Sequence, residues 1–210
     1  DTGPSFVINL ITYVFVIFAL MQMRESEFFI SEKKETLGTI REGVNYALAR
    51  PDLYVVMLVV FFVATFGLNN QIFNALMATE AFGKGPAAFG LLGTYLAIGS
   101  LSGALFSARL EKYRRATFVI KLGIVFSIGV IGLSIAPTFT WYAIWLPFVG
   151  FCALTLLIAA NSLIQVNSDP AIRGRVSGIY LLIFMGGTPF GSPVIGWLAE
   201  VIGIRQTIAL

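Results

Sequence analysis

Histidine is missing from this chain altogether, and cysteine occurs once. Without histidine there is no Ser–His dyad for an intramembrane serine protease and no imidazole for a metal site, so neither a metal nor a cofactor is expected. A lone Cys152 excludes an intramolecular disulfide, and its place in an apolar run suits a small packing residue. Charge is scarce as well. Only 12% of the residues are Asp, Glu, Lys or Arg, against 57% hydrophobic, which leaves too little polar surface for a soluble domain. Asp52, Glu80, Asp169 and Glu200 all fall at or beyond the ends of apolar runs, which argues against acid–base catalysis within the membrane. The opening Asp1-Thr2-Gly3-Pro4 lacks the basic start of a secretory signal. The expectation is that the chain begins partway through a longer protein.

What is present is grease in long stretches. Apolar runs of about 20 residues recur, each long enough to cross a hydrocarbon core of about 30 Å as a helix. Six spans are expected, at Phe6–Met23, Leu53–Thr79, Ala87–Ala108, Ala116–Ala136, Trp141–Ile164 and Val176–Ile202. Pro51, Pro86, Pro137 and Pro170 fall between spans, where a missing N–H does no harm. The one long connection, Arg24 to Arg50, opens with the mixed-charge stretch RESEFFISEKKE. Its second half sets Leu37, Ile40, Val44 and Leu48 three or four residues apart, the spacing of an amphipathic helix lying on the membrane surface. An ordinary soluble linker helix is the alternative.

If successive spans alternate in direction, one side of the membrane receives Arg24, Lys33, Lys34, Arg41 and Arg50, then Arg109, Lys112, Arg114, Arg115 and Lys121, then Arg173 and Arg175. The other side receives Lys84 and Arg205 alone, out of 14 basic residues. By the positive-inside rule the rich side is cytoplasmic. These basic residues sit in interspan turns, and no nucleic-acid partner is expected.

Polar side chains inside the spans mark where a substrate path would run. On a continuous helix Gly67, Asn70, Gln71 and Asn74 share one face, and amides are expensive against lipid, so that face should look into protein or a water-filled cavity. Thr155, Tyr180 and Thr188 are lesser candidates for the same cavity, and interhelical hydrogen bonding is the alternative role for all of them. Gly99, Gly103 and Ser107 repeat at every fourth position, as do Gly187 and Gly191, a spacing that lets helix backbones approach closely in lipid. Pro147, Pro189 and Pro193 lie inside spans and are expected to bend them, as hinges or as static kinks.

The turn NSDPAIRGRVSGIYLL, Asn167 to Leu182, places charges directly against a hydrophobic run. Topology alone accounts for Arg173 and Arg175. The form Asp169-Pro170-x-x-Arg173-Gly174-Arg175-Val176-x-Gly178 also resembles the cytoplasmic turn between the tenth and eleventh helices of major facilitator superfamily transporters, in the branch of macrolide-efflux and enterobactin-export proteins. Gly178, Gly187, Gly191 and Ser192-Pro193-x-x-Gly196 are similar to the glycine–proline antiporter motif of that superfamily, with an inserted Ser192 and with Trp197 in place of a glycine. GALFSARLEKYRR, with Gly103, Arg109, Arg114 and Arg115, resembles its basic loop after the second and eighth helices, without the aspartate.

The resemblance implies an all-α, polytopic transmembrane helix bundle corresponding to the second half of a twelve-helix transporter. Residues 1–23 would be the last helix of the first half, 24–50 a cytoplasmic connection, and 51–210 the second-half bundle, with Arg205 to Leu210 opening a twelfth helix. It further implies a secondary exporter of small molecules, in the cytoplasmic membrane of a bacterium, with the proton as coupling ion and the lipid bilayer and a set of first-half helices as partners. A non-transporting scaffold and a channel-like bundle are the alternatives; no carbonyl-lined filter sequence supports the second. The charge asymmetry carries a direct test. With Cys152 replaced by alanine, a single cysteine at position 84 should react with an impermeant thiol reagent added to intact cells, whereas cysteines at 33 and 114 should react only after lysis; the reverse pattern would overturn the orientation.

Overall fold

Proline and glycine set the helix ends. The computed structural model describes residues 3–22, 39–109 and 115–210, and the chain divides into two units, 1–38 and 39–210, each described by itself. The first contains α1, Gly3–Met21. In the second, α2 (Ile40–Ala49) is followed by α3 (Pro51–Phe62), a π-helical turn (Val63–Gly67), α4 (Asn70–Leu76) and a second π-helical turn (Met77–Ala81). Then come α5 (Pro86–Ser107), α6 (Ala116–Ser134), α7 (Phe139–Asn167), α8 (Arg173–Ile202) and α9 (Ile204–Ala209). No strand occurs among the described residues. Pro51 and Pro86 open α3 and α5, where the absent N–H is one the helix would not use. Thr138 caps α7 by accepting a hydrogen bond from the Trp141 N–H at 3.2 Å. Gly203, at φ +88°, makes the left-handed turn that separates α8 from α9, a conformation that a Cβ disfavours.

Five helical stretches among the described residues are long and apolar enough to cross a bilayer: Pro51–Ala81, Pro86–Ser107, Ala116–Ser134, Phe139–Asn167 and Arg173–Ile202. The apolar part of α1, Phe6–Met21, is shorter. α7 is central, with α5 and α6 packed along it and a buried row from Tyr142 through Leu146, Leu156 and Leu163. Ile98, Leu101 and Leu105 of α5 and Ile124, Ile128 and Ile131 of α6 are exposed, as befits faces turned to hydrocarbon and not to water.

Two sequence expectations are corrected. The second span is not one continuous helix but breaks at Leu68–Asn69. Arg173, Gly174 and Arg175 form the first turn of α8 and not the connection before it, because Asp169 already nucleates the helix: its carbonyl accepts from the Ile172 and Arg173 N–H groups at 3.0 and 2.8 Å. The sequence made no statement of how α2 meets the bundle, and it docks by its small residues. Gly43 and Ala47 are buried, with Gly43 against Arg175 and Ile179 of α8, while Ile40, Val44 and Leu48 face outward. Leu37, Arg114 and the RESEFFISEKKE stretch lie outside the described residues. Pro147 sits inside α7, and Pro189 and Pro193 inside α8, without interrupting either helix.

Glycine governs the tightest contacts. A Cβ on Gly99 would strike the Pro147 backbone, and one on Gly103 would come within 2.5 Å of the Phe151 carbonyl oxygen. Gly93 on the same helix has nothing within 4 Å. Overpacking at such a contact costs about 1–3 kcal/mol, so Gly99→Ala should lower the thermal unfolding temperature of the purified protein in detergent, whereas Gly93→Ala should leave it unchanged or raise it. Equal behaviour of the two variants would contradict the packing described.

Candidate functional site

Inside a bilayer a broken helix exposes backbone groups that something must satisfy. At the break the Leu68 N–H reaches back five residues to the Val63 carbonyl at 2.9 Å, and the chain leaves helical geometry at Leu68 (ψ 18°) and Asn69 (ψ 37°) before α4 begins. Asn69 is buried. Its Nδ2 donates to the Thr65 carbonyl at 2.8 Å, and its Oδ1 accepts from the Ser192 hydroxyl of α8 at 2.7 Å. Gly187 and Gly191 of α8 lie directly against Thr65, so that a Cβ at either would overlap it. The Thr65 hydroxyl is buried without a hydrogen-bond partner.

The break rearranges the expected amide face. Asn74 is buried and its Oδ1 accepts from the Tyr142 hydroxyl of α7 at 2.9 Å. Asn70 is half-buried and Gln71 exposed, and neither side chain makes a hydrogen bond among the described residues. Of the lesser candidates, Thr155 is buried and donates to the Gly103 carbonyl at 3.4 Å, and Tyr180 donates to the Leu157 carbonyl at 3.2 Å. Thr188 and Pro189 are exposed. Thr155 and Gly103 thus meet in the α5–α7 contact, and Gly187 and Gly191 meet Thr65 in the contact between α8 and the π-helical turn. No hydrogen bond among the described residues joins Asn70, Gln71, Asn74, Thr155, Tyr180 and Thr188 to one another.

A second polar group joins α2, α3 and the α7–α8 turn. Arg50 pairs with Asp52 through Nε at 3.0 Å and Nη2 at 2.8 Å, and the Asp52 hydrogen bond and charge hold the guanidinium above its ordinary pKa. Asn167 donates to Asp52 at 3.1 Å. The Tyr46 hydroxyl accepts from the Asp169 N–H at 3.2 Å, and Arg175 pairs with Glu42 at 3.2 Å. Asp169 also accepts from the Ala171 N–H at 2.9 Å, a local turn bond that needs no partner element. Arg109 is exposed at the end of α5, and Arg115, also exposed, precedes α6.

A cavity of about 460 Å³ opens between the broken span, α6, α8 and α9. Phe62, Phe66, Phe73 and Phe126 dominate its lining, with Ser127 and Thr207 as the hydroxyl side chains. None of the six candidates drawn from the sequence lines it. Its aromatic wall was hidden in the general richness in phenylalanine, although Phe62 and Phe66 stand four residues apart. Asn69 was missed because it lies off the face that a continuous helix would present. Ser192, noticed as an insertion, is its partner.

Residues 2–210 match the transmembrane secretion effector family. Over 177 residues the chain is 28% identical to the multidrug efflux pump Tap of Mycolicibacterium fortuitum, covering 81% of this chain and 42% of that relative. The chain therefore spans less than half the length of the curated relative it matches. No solved structure gives a significant match. Matched over nearly every residue, and built of apolar helices packed through glycine, the chain belongs to the transmembrane secretion effector family of the major facilitator superfamily.

Proposed function

We propose that this chain forms the second-half bundle of a secondary exporter of small organic molecules, working by alternating access against a first-half bundle in the cytoplasmic membrane of a bacterium. The family match over residues 2–210 carries the reading; the similarity to a protein described as a multidrug efflux pump supports the substrate class. Residues 1–23 are read as the final helix of the first half and 24–50 as the connection. Asn70 and Gln71, amides of the broken span with no side-chain partner among the described residues, are assigned to substrate contact by uncharged hydrogen bonds. No described carboxylate lies deep in a span: Asp52 sits at the start of α3, and Glu80 and Glu200 are exposed. Proton coupling, on this reading, is carried by a group in the first half.

The test is efflux of a fluorescent substrate from cells that express the chain with and without a compatible first half. Export should require both, and export by residues 1–210 alone would overturn the half-bundle assignment. Within the two-part protein, Gln71→Ala should weaken apparent substrate affinity several-fold while leaving the pH dependence unchanged, since a neutral hydrogen bond contributes about 0.5–1.5 kcal/mol. Asn74→Ala should instead lower stability, because it strands the Tyr142 hydroxyl, and Tyr142→Phe should add little to it in the double variant.

A further inference from the structure

The break in the second span has no covalent cause. No proline lies between Pro51 and Pro86, and neither Leu68 nor Asn69 takes a positive φ. Side chains hold it instead. Asn69 joins the π-helical turn to α8 through Thr65 on one side and Ser192 on the other. The turn itself rests in a recess that exists only because positions 187 and 191 are glycine. Beyond it, α4 is seven residues long and ends in the second π-helical turn, and its side-chain hydrogen bond to the bundle is Asn74–Tyr142. The outer half of this span is therefore a short rod, flanked by irregular turns, packed through Phe73, Met77 and Ala78 and tied by two side-chain hydrogen bonds. π-Helical turns inside α-helices occur frequently at functional sites.

One group argues that the observed arrangement is not the only one used. The Thr65 hydroxyl is buried at the joint and unpaired, and an orphaned polar group in a native structure calls for an explanation. If the joint opened, Asn69 and Ser192 would exchange their mutual bond for water or a ligand, while the Thr65 hydroxyl would gain a partner that it lacks in the closed state, and that gain favours opening.

We propose that the Asn69–Ser192 hydrogen bond is a clasp that holds the joint of the broken span against α8, from which the outer half continues, and that the transport cycle opens it. Asn69 and Ser192 act as positioning residues, not as substrate ligands. The opening step rests on the exporter reading given above; the clasp itself does not.

Hydrogen exchange of the protein in lipid nanodiscs tests the clasp. Ser192→Ala should accelerate amide exchange over residues 63–72 at least tenfold while residues 149–160 of α7 stay within twofold, and Ser192→Thr should restore the slow rate. Thr65→Val, which removes the orphan hydroxyl at constant shape, should slow exchange over 63–72 or leave the segment as protected as before. Unchanged exchange in Ser192→Ala, or equal acceleration in α7, would overturn the clasp. Its role in the cycle is tested with Asn69→Cys and Ser192→Cys paired in a Cys152→Ala background, together with a first half. Oxidation should cut export at least tenfold with substrate binding retained within about twofold, and reductant should reverse the block. Export by the oxidised pair at the reduced rate would overturn the opening step. Absence of export from the reduced and the parent proteins alike would instead overturn the exporter reading, with the exchange result still deciding the clasp.

Discussion

Gly99 and Gly103 let α5 lie directly on the Pro147–Phe151 backbone of α7, and Gly150 returns the contact against Leu96 and Ser100. In a bilayer, lipid tails compete equally for apolar side chains, so helices associate through close backbone packing and interhelical hydrogen bonds. That contact sets α7 at the centre. α6 then packs on the remaining side of α7 through Gly129, which faces Phe148 and Val149, and the same principle fixes α8 through Gly187 and Gly191. Each interface is built where side chains are missing, and the bulky residues are left to face hydrocarbon.

Polar side chains in the spans are largely consumed by this assembly. Asn69, Asn74, Thr155 and Tyr180 each bond to a backbone or side-chain group, and each bond ties an element to a neighbour or closes a break. A buried amide in a membrane protein can serve transport only through bonds that its packing leaves over. Asn74 has given its oxygen to Tyr142, whereas the half-buried Asn70 and the exposed Gln71 keep theirs free among the described residues. The division follows from the two-residue interruption at Leu68–Asn69, which rotates α4 away from the face it would present as a continuation of α3.

Much of the fold was legible in the chain. Apolar runs bounded by Pro51, Pro86, Pro137 and Pro170 gave the spans Pro51–Ala81 onward to within a few residues, because a bilayer demands uninterrupted length and proline marks where helices stop. The site was far less legible. Periodicity assumes an unbroken helix, and no proline or left-handed glycine announces the break that moves Asn69 inward and Gln71 outward. The face by which α2 docks was silent in the sequence: amphipathic spacing marks Ile40, Val44 and Leu48, which are exposed, whereas Gly43 and Ala47 make the contact, since only small residues permit so close an approach to α8. Sequence patterns report which face is apolar; they do not say whether the neighbour is protein or lipid.

The two basic residues at the charge-poor end, Lys84 and Arg205, are both committed to local contacts. Lys84 lies 5.0 Å from the Phe139 ring. Arg205 donates to the carbonyls of Ser134 and Ala136 at 3.2 and 2.6 Å, closing the end of α6, and its guanidinium lies 5.5 Å from the Phe82 ring. Arg205 thereby works as a rivet through three segments that are far apart in the chain. The carbonyls at the end of α6 provide a negative partial charge that suits a cation. At this end of the bundle the charge of Arg205 is spent on holding helix ends together, while the exposed Lys84 keeps its charge at the surface.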